Sequence, residues 1–158
     1  MPVPPVVTIR RAAAKDAPRI HELHLASVRA LCAPSYSPAV LEGWLADRSP
    51  DGYLPGISSG GLFVAEANGE VVGFCEGAVG EVRAVFVDPR WGRRGVGTAL
   101  LDHALSLARA GASRPVRLES TLNAVTFYER HGFRQVSRST VRRNQVEVPI
   151  VVMEEHGG

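Results

Sequence analysis

The segment Val85-Phe86-Val87-Asp88-Pro89-Arg90-Trp91-Gly92-Arg93-Arg94-Gly95-Val96-Gly97-Thr98-Ala99-Leu100-Leu101 constrains the fold more than any other stretch of this chain. A short valine-rich run enters, Asp88-Pro89 stops it, and three glycines fall between Gly92 and Gly97 before an apolar helical pattern begins. A strand must end and a helix must start inside one segment. The first backbone N–H groups of such a helix are unobstructed and carry partial positive charge, which favours an anion. Glycine removes the Cβ that would hold the anion away. Arg93 and Arg94 add full charges at the same place. The spacing supports a pyrophosphate cradle; a Gly-rich turn with two solvated arginines is the plain alternative.

The rest of the chain reads as elements around that junction. Val6 to Arg11 is a short strand. Asp16 and Pro18 open a helix over 16–31, with Ile20, Leu23, Ala26, Ala30 and Leu31 as its stripe. Ser37-Pro38 starts a second helix carrying Val40, Leu41, Trp44 and Leu45. Arg48 to Gly60, rich in Ser, Pro, Gly and Asp, reads as a loop. Leu62 to Ala67 and Val71 to Cys75 flank Asn68-Gly69, a strong hairpin signal. Glu81 to Val87 is a further strand, and the helix after Gly97 runs to about Ala110 before Gly111. Val116 to Ser120 is a strand. Asn123 is placed to cap a fourth helix that runs to His131 and stops at Gly132. Phe133 to Val141 and Val146 to Met153 close the chain as two strands. The order β-α-α-β-β-β-α-β-α-β-β predicts a mixed α+β fold, its sheet covered by helices on both faces.

Composition bounds the class. The chain has 158 residues, 45% hydrophobic and 22% charged, as expected of one globular domain over 1–158. Largely disordered, collagen-like and membrane-bundle chains are excluded. The net charge of +2 is too small to argue for a nucleic-acid or membrane partner. Seventeen of the eighteen basic residues are Arg, with Lys15 the exception. Base composition accounts for most of that excess, although Arg is also the better residue for forked contact with phosphate. Cys32 and Cys75 form no C-x-x-C pair and read as small buried thiols. Met1 to Val7 is Pro-rich with no charged, apolar leader pattern, so no signal peptide is expected. A cytoplasmic protein is the default. His21 and His24, three apart, lack a third ligand, so no metal site is expected.

Two known phosphate cradles fit poorly. A P-loop needs Lys before the Ser or Thr that follows its last glycine, and Gly97 directly precedes Thr98. The dinucleotide fingerprint started at Gly95 would have Leu100 as its third glycine. Val87-Asp88-Pro89 with Gly95-Val96-Gly97 instead resembles the coenzyme A loop of the GNAT superfamily of acetyl-CoA-dependent N-acetyltransferases. Gly92 stands at that family's Arg/Gln position, and Arg93 supplies the charge instead. Ala124, Tyr128, Gly132 and Phe133 match a second family segment, Asn-x-x-Ala-x-x-x-Tyr-x-x-x-Gly-Phe, with Thr121 at its Asn position.

The resemblance implies the GNAT fold, a mostly antiparallel sheet of about seven strands flanked by four helices. It implies acetyl-CoA as co-substrate, no metal, and an amine acceptor that is a small molecule or a protein amine. A homodimer is compatible with it. By the same resemblance, Val85, Phe86 and Val87 line the pantetheine arm as an added strand. A main-chain N–H near Phe86 polarises the thioester. Backbone groups of Arg93, Arg94, Gly95, Val96, Gly97 and Thr98 take the pyrophosphate, and the Asn123 amide is within reach of the ligand. Tyr128 matches the general acid, and Glu81 the general base, with Glu76 and Glu119 as lesser base candidates. Strand alternation puts Glu81 on one face with Arg83, Val85 and Val87. Tyr36 and Trp44 fall in the region that shapes the acceptor site. Two alternatives stay open: an acyl-CoA-binding sensor or scaffold of the same fold without turnover, and a nucleotide-binding α/β domain.

Overall fold

Successive residues of the central strands are buried on alternate faces of the sheet, which sorts the core into two. Val64, Val71 and Phe74 pack with Ile20, Leu23 and Tyr53. Their neighbours Ala65, Val72 and Cys75 pack on the other side with Leu100, Leu101 and Ala104. This is the period of two expected of a sheet buried on both faces. The computed structural model describes residues 6–111 and 115–156. Most of the Pro-rich stretch at the start of the chain, residues 1–5, lies outside them.

Seven strands form one sheet in the order β1-β2-β3-β4-β5-β7-β6. They are β1 (Val7–Arg11), β2 (Leu62–Ala67), β3 (Glu70–Ala78), β4 (Glu81–Val87), β5 (Arg117–Ser120), β6 (Phe133–Arg143) and β7 (Val146–Glu155). Every neighbouring pair is antiparallel except β4 and β5. Helices α1 (Ala17–Leu31), α2 (Pro38–Leu45) and α3 (Leu54–Ser59) contribute to one face. Helices α4 (Val96–Ala108) and α5 (Val125–Glu129) cover the other. The fold is mixed α+β, as the element order predicts, with the mostly antiparallel sheet that the resemblance implies.

The sequence predicts four helices; the described residues form five. The expected loop from Arg48 to Gly60 holds a 3-10 turn at Pro50–Tyr53 and then α3. Pro at the start of each element supplies a ready helical φ, and Gly60 ends the second at φ +81. Tyr53 buries its ring in the core and anchors the segment. Two caps also differ. Ser37 accepts from the Val40 N–H as expected, but the Asp16 carboxylate accepts from the Ala13 N–H and from Arg10 rather than from helix N–H groups. Asn123 caps nothing. It lies inside a 3-10 turn, Leu122–Ala124, that precedes α5.

Helix α4 buries Val96, Leu100, Leu101, Ala104, Leu105 and Ala108, spacings of one, three and four that form a single stripe. It lies very close to β3. A Cβ at Gly77 would meet the Ala104 carbonyl oxygen at 2.9 Å, so only glycine permits this approach. Among the described residues no helix is long and apolar enough to cross a membrane.

Candidate active site

β4 and β5 pair only at Glu81–Arg117 and Val82–Leu118. Beyond those two rungs β4 continues to Val87, while β5 stays with β7 through Ser120–Val151. The cause of the parting lies in β4. Its register against β3 steps from Glu76–Ala84 to Gly77–Val82, which leaves Arg83 as an extra, bulged residue. A bulge bends a strand and increases its twist. The β5-facing edge of β4 after Arg83 therefore has no strand beside it. Such an edge is a template for strand addition.

The bulge also overturns the expected alternation. Val82 joins the α4-side core against which Val85 and Val87 pack. Glu81 instead lines the opposite side together with Ala84 and Phe86.

Two cavities flank the parted strands. The smaller, about 140 Å³, is lined by Val85, Phe86 and Val87 of β4, Gly97 of α4, and Asn123 and Tyr128. The structure thus brings half of the sequence-predicted residues around one space. The larger, about 470 Å³, is lined by Glu76, Glu81, Glu119, His24, Trp44 and Tyr53 among others. Phe86 and Thr121 border both cavities.

The turn into α4 is built as the sequence suggests. Arg93 has φ +61 and Gly95 has φ +79, so the chain turns twice through the left-handed region before the helix. The first backbone bond of α4 is from the Ala99 N–H to the Gly95 carbonyl at 3.1 Å. Among the described residues the N–H groups of Arg93 to Thr98 have no backbone acceptor, and an anion is their natural partner. Arg93 and Arg94 are exposed and, unlike Arg10, Arg19 and Arg90, form no ion pair among the described residues. The Arg94 guanidinium lies 4.9 Å from the Trp91 ring centre. Val96 is buried in the core and offers only its backbone.

The Thr98 hydroxyl is 3.0 Å from Nε2 of His131, whose Nδ1 is 2.8 Å from the Phe127 carbonyl oxygen. A carbonyl only accepts, so in the neutral imidazole Nδ1 donates and Nε2 accepts from Thr98. Sequence reasoning did not single out this pair.

Asp88 ties the entrance of the turn to α1. It accepts from the Arg90 N–H, from the Arg90 guanidinium and from Arg19 at 2.7 Å. Arg90 foremost, with its own N–H and Arg19, holds the Asp88 carboxyl well below the usual carboxylate range despite burial.

Tyr128 is buried, its ring edge-on to Phe127 and Phe133. Burial pushes its phenol well above the ordinary value, with Cys75 adding to the shift. Its hydroxyl has no hydrogen-bond partner among the described residues. Cys32 borders the same cavity, and burial pushes its thiol up to about 11. Cys75 is pushed up to about 12. Both stay thiols at neutral pH, which suits packing rather than nucleophilic attack.

The larger cavity holds the three carboxylates named as base candidates. Glu81 is bonded to the Arg83 guanidinium at 2.7 Å, and Glu76 lies 3.7 Å from the same group. Nδ1 of His24 and the Tyr53 hydroxyl are 2.8 Å apart. Burial first, then Arg48, pushes the His24 imidazole down to about 3, so it is neutral. His24 falls in the buried stripe of α1 with Ile20, Ser27 and Val28, a spacing that was available in the sequence. Trp44 lines the cavity. Tyr36 instead acts as an anchor. It donates to the Pro149 carbonyl at 2.6 Å and accepts from the Leu122 N–H at 3.0 Å. Among the described residues no three His, Cys, Asp or Glu side chains are grouped to hold a metal ion.

Comparison with known proteins agrees with this geometry. Residues 58–135 match the family described as the acetyltransferase (GNAT) domain. The chain is 35% identical over 106 residues to the uncharacterized N-acetyltransferase MJ1207 of Methanocaldococcus jannaschii. That match covers 58% of this chain but only 43% of the relative, less than half its length. A GCN5-related N-acetyltransferase from Rhodopseudomonas palustris superposes with a TM-score of 0.87 at 25% identity, over 94% of each chain. The PaiA N-acetyltransferase of Thermoplasma acidophilum, solved with coenzyme A, shares the fold with a TM-score of 0.73 at 21% identity, over 95% of this chain and 98% of that one. Sequence match, fold and parted strands agree, and the chain belongs to the GNAT superfamily of acetyltransferases.

Proposed function

We propose that this protein, acting as one domain over 1–158, transfers an acetyl group from acetyl-CoA to a primary amine by direct attack in a ternary complex. One observation carries the reading: β4 parts from β5 after two rungs, and two cavities meet at that gap between Phe86 and Thr121. The PaiA protein of the same fold, solved with coenzyme A, supports the choice of ligand.

The residues fit a CoA thioester as substrate. The free N–H groups from Arg93 to Thr98 hold the pyrophosphate, with Arg93 and Arg94 beside it. Val85, Phe86 and Val87 pair with the pantetheine amides along the open edge of β4. The Asn123 amide borders the same arm. A backbone N–H near Phe86 donates to the carbonyl oxygen as negative charge develops on it. From the larger cavity the amine nitrogen attacks the carbonyl carbon. The N–C bond forms, the C–S bond breaks, and the sulfur takes a proton from the Tyr128 hydroxyl. The proton lost by the amine passes to the carboxylate set of Glu81, Glu76 and Glu119, directly or through water. The buried, neutral phenol of Tyr128 suits an acid that must keep its proton until the thiolate departs. The reading carries with it a cytoplasmic setting and no metal, membrane or nucleic-acid partner.

A second reading, an acyl-CoA sensor without turnover, is favoured by the Glu81–Arg83 bond at 2.7 Å, which occupies the leading base candidate. Titration with CoA by calorimetry, followed by assay of thiol release over a panel of amines, separates the two. Binding with amine-dependent release supports transfer. Binding with no release by any amine supports the sensor, and no binding removes both.

A further inference from the structure

We infer that the acceptor amine also carries an anionic group, and that Arg48 and Arg143 take this anion at the outer end of the larger cavity. The inference rests on reading that cavity as the acceptor site.

The charged groups of the cavity are divided by element. Its carboxylates come from adjacent strands of the sheet: Glu76 from β3, Glu81 from β4 and Glu119 from β5. Arg83 lies among them and is committed to Glu81 and Glu76. The two remaining cations, Arg48 and Arg143, come from the segment after α2 and from the end of β6. Neither has a carboxylate partner among the described residues. Arg48 donates from Nε to the Trp44 carbonyl at 3.3 Å, and Arg143 donates to the Arg142 carbonyl at 3.2 Å. The Arg48 guanidinium also meets the Tyr53 hydroxyl, but no carboxylate engages either fork among the described residues, and a guanidinium fork is matched to carboxylate or phosphonate.

Their common position is built into the fold. Asn144, at φ +54, donates from Nδ2 to the carbonyls of Gly43 at 3.0 Å, Trp44 at 3.1 Å and Ala46. These bonds pin the β6–β7 turn to the end of α2 and bring Arg143 to the same rim as Arg48. Both arginines also border a contiguous recess of about 290 Å³. Asp47, the one carboxylate of that recess, forms no ion pair among the described residues. Two unpaired cations held on one rim repel each other, and an anion between them relieves that repulsion.

Between rim and gap the walls are apolar and aromatic, with Trp44, Tyr53, Phe74, Phe86, Val148 and Ile150. The volume of about 470 Å³ is that of a small-molecule site. An amine at the gap, an apolar body and an anion at the rim describe a small amino-carboxylate or amino-phosphonate, not a polyamine.

The test uses the full chain saturated with CoA and two matched pairs of amines: aminohexanoate with hexylamine, and aminopropylphosphonate with propylamine. Calorimetry reads affinity, and thiol release from acetyl-CoA reads turnover. The expected result is a preference of about tenfold or more for the anionic member of at least one pair. The preference is lost in Arg48→Ala and in Arg143→Ala. It persists in Arg142→Ala, whose side chain is paired with Glu147. Arg143 is exposed, so its variant folds even if Arg48→Ala does not. Equal or better binding of the plain amine in every pair overturns the inference, as does a preference that survives in Arg143→Ala. A binding preference without thiol release retains it and removes the transferase reading. Release without preference does the reverse.

Discussion

Phe86 on β4 and Thr121 just beyond β5 border both cavities, one on each side of the gap where the strands part. A group passing from one cavity to the other passes between them. Thr121→Phe narrows that opening and leaves the α4 turn intact. Thiol release should fall about a hundredfold in kcat/KM, the scale expected when reacting atoms are held out of line. Calorimetric affinity for CoA should change far less. A loss of affinity equal to the loss of activity would place the thioester elsewhere.

Tyr128→Phe removes the proposed acid without changing ring packing. kcat should fall about 10²-fold or more, with the KM for acetyl-CoA preserved. Burial raises the phenol above its ordinary value, and the acid is lost only when pH passes that raised value. The kcat profile of the native protein should therefore show no alkaline decline due to this group below about pH 10. A decline near pH 8 that disappears in the variant would contradict the assignment.

The cradle arginines act as charges. Arg93→Ala should weaken CoA binding about tenfold at low ionic strength, and the difference should shrink as salt is added. Arg142→Ala, on the β6–β7 hairpin, should leave CoA affinity unchanged. Calorimetry at two salt concentrations checks both. Equal effects from the two substitutions would mean that Arg93 has no special role.

Asp88 joins the entrance of that turn to α1 through Arg19, with only 5% of its side chain exposed. Asp88→Asn should cost about 2 kcal/mol of stability at neutral pH and raise the KM for acetyl-CoA. The native carboxyl titrates below its unfolded counterpart, so its contribution is complete above the unfolded value of about 3.9 and is lost as pH falls through the folded one. Urea unfolding should show a constant gap between native and variant protein from pH 7 to pH 5. The gap should close in more acid solution. A gap that widens there would reverse the sign of this account.

The legible parts of the fold are those set by local chemistry. Asn68-Gly69, Ser37-Pro38 and the Gly95–Gly97 turn each demand a particular backbone, and each appears where the sequence puts it. Features set by partners distant in sequence were not legible. The bulge at Arg83 comes from pairing with β3, and it moved Glu81 to the face opposite the expected one. The helix at Leu54–Ser59 is held by the buried Tyr53, and no local pattern outweighed its Pro, Gly and Ser content. Val85, Phe86, Val87 and Tyr128, which line the smaller cavity, were named through the resemblance to the GNAT segments. Arg48 and Arg143, 95 positions apart, meet only because Asn144 bonds across to the end of α2.

Hydrogen–deuterium exchange of the backbone amides with and without acetyl-CoA tests the central claim most directly. The claim is that the CoA thioester is held by the free edge of β4 and by the unbonded N–H groups at the start of α4. Protection should appear over Ala84–Val87 and Arg93–Thr98, with little change in β1, β2 or the far hairpin. Saturating acetyl-CoA that leaves both segments unprotected, or protects another part of the sheet, would contradict it.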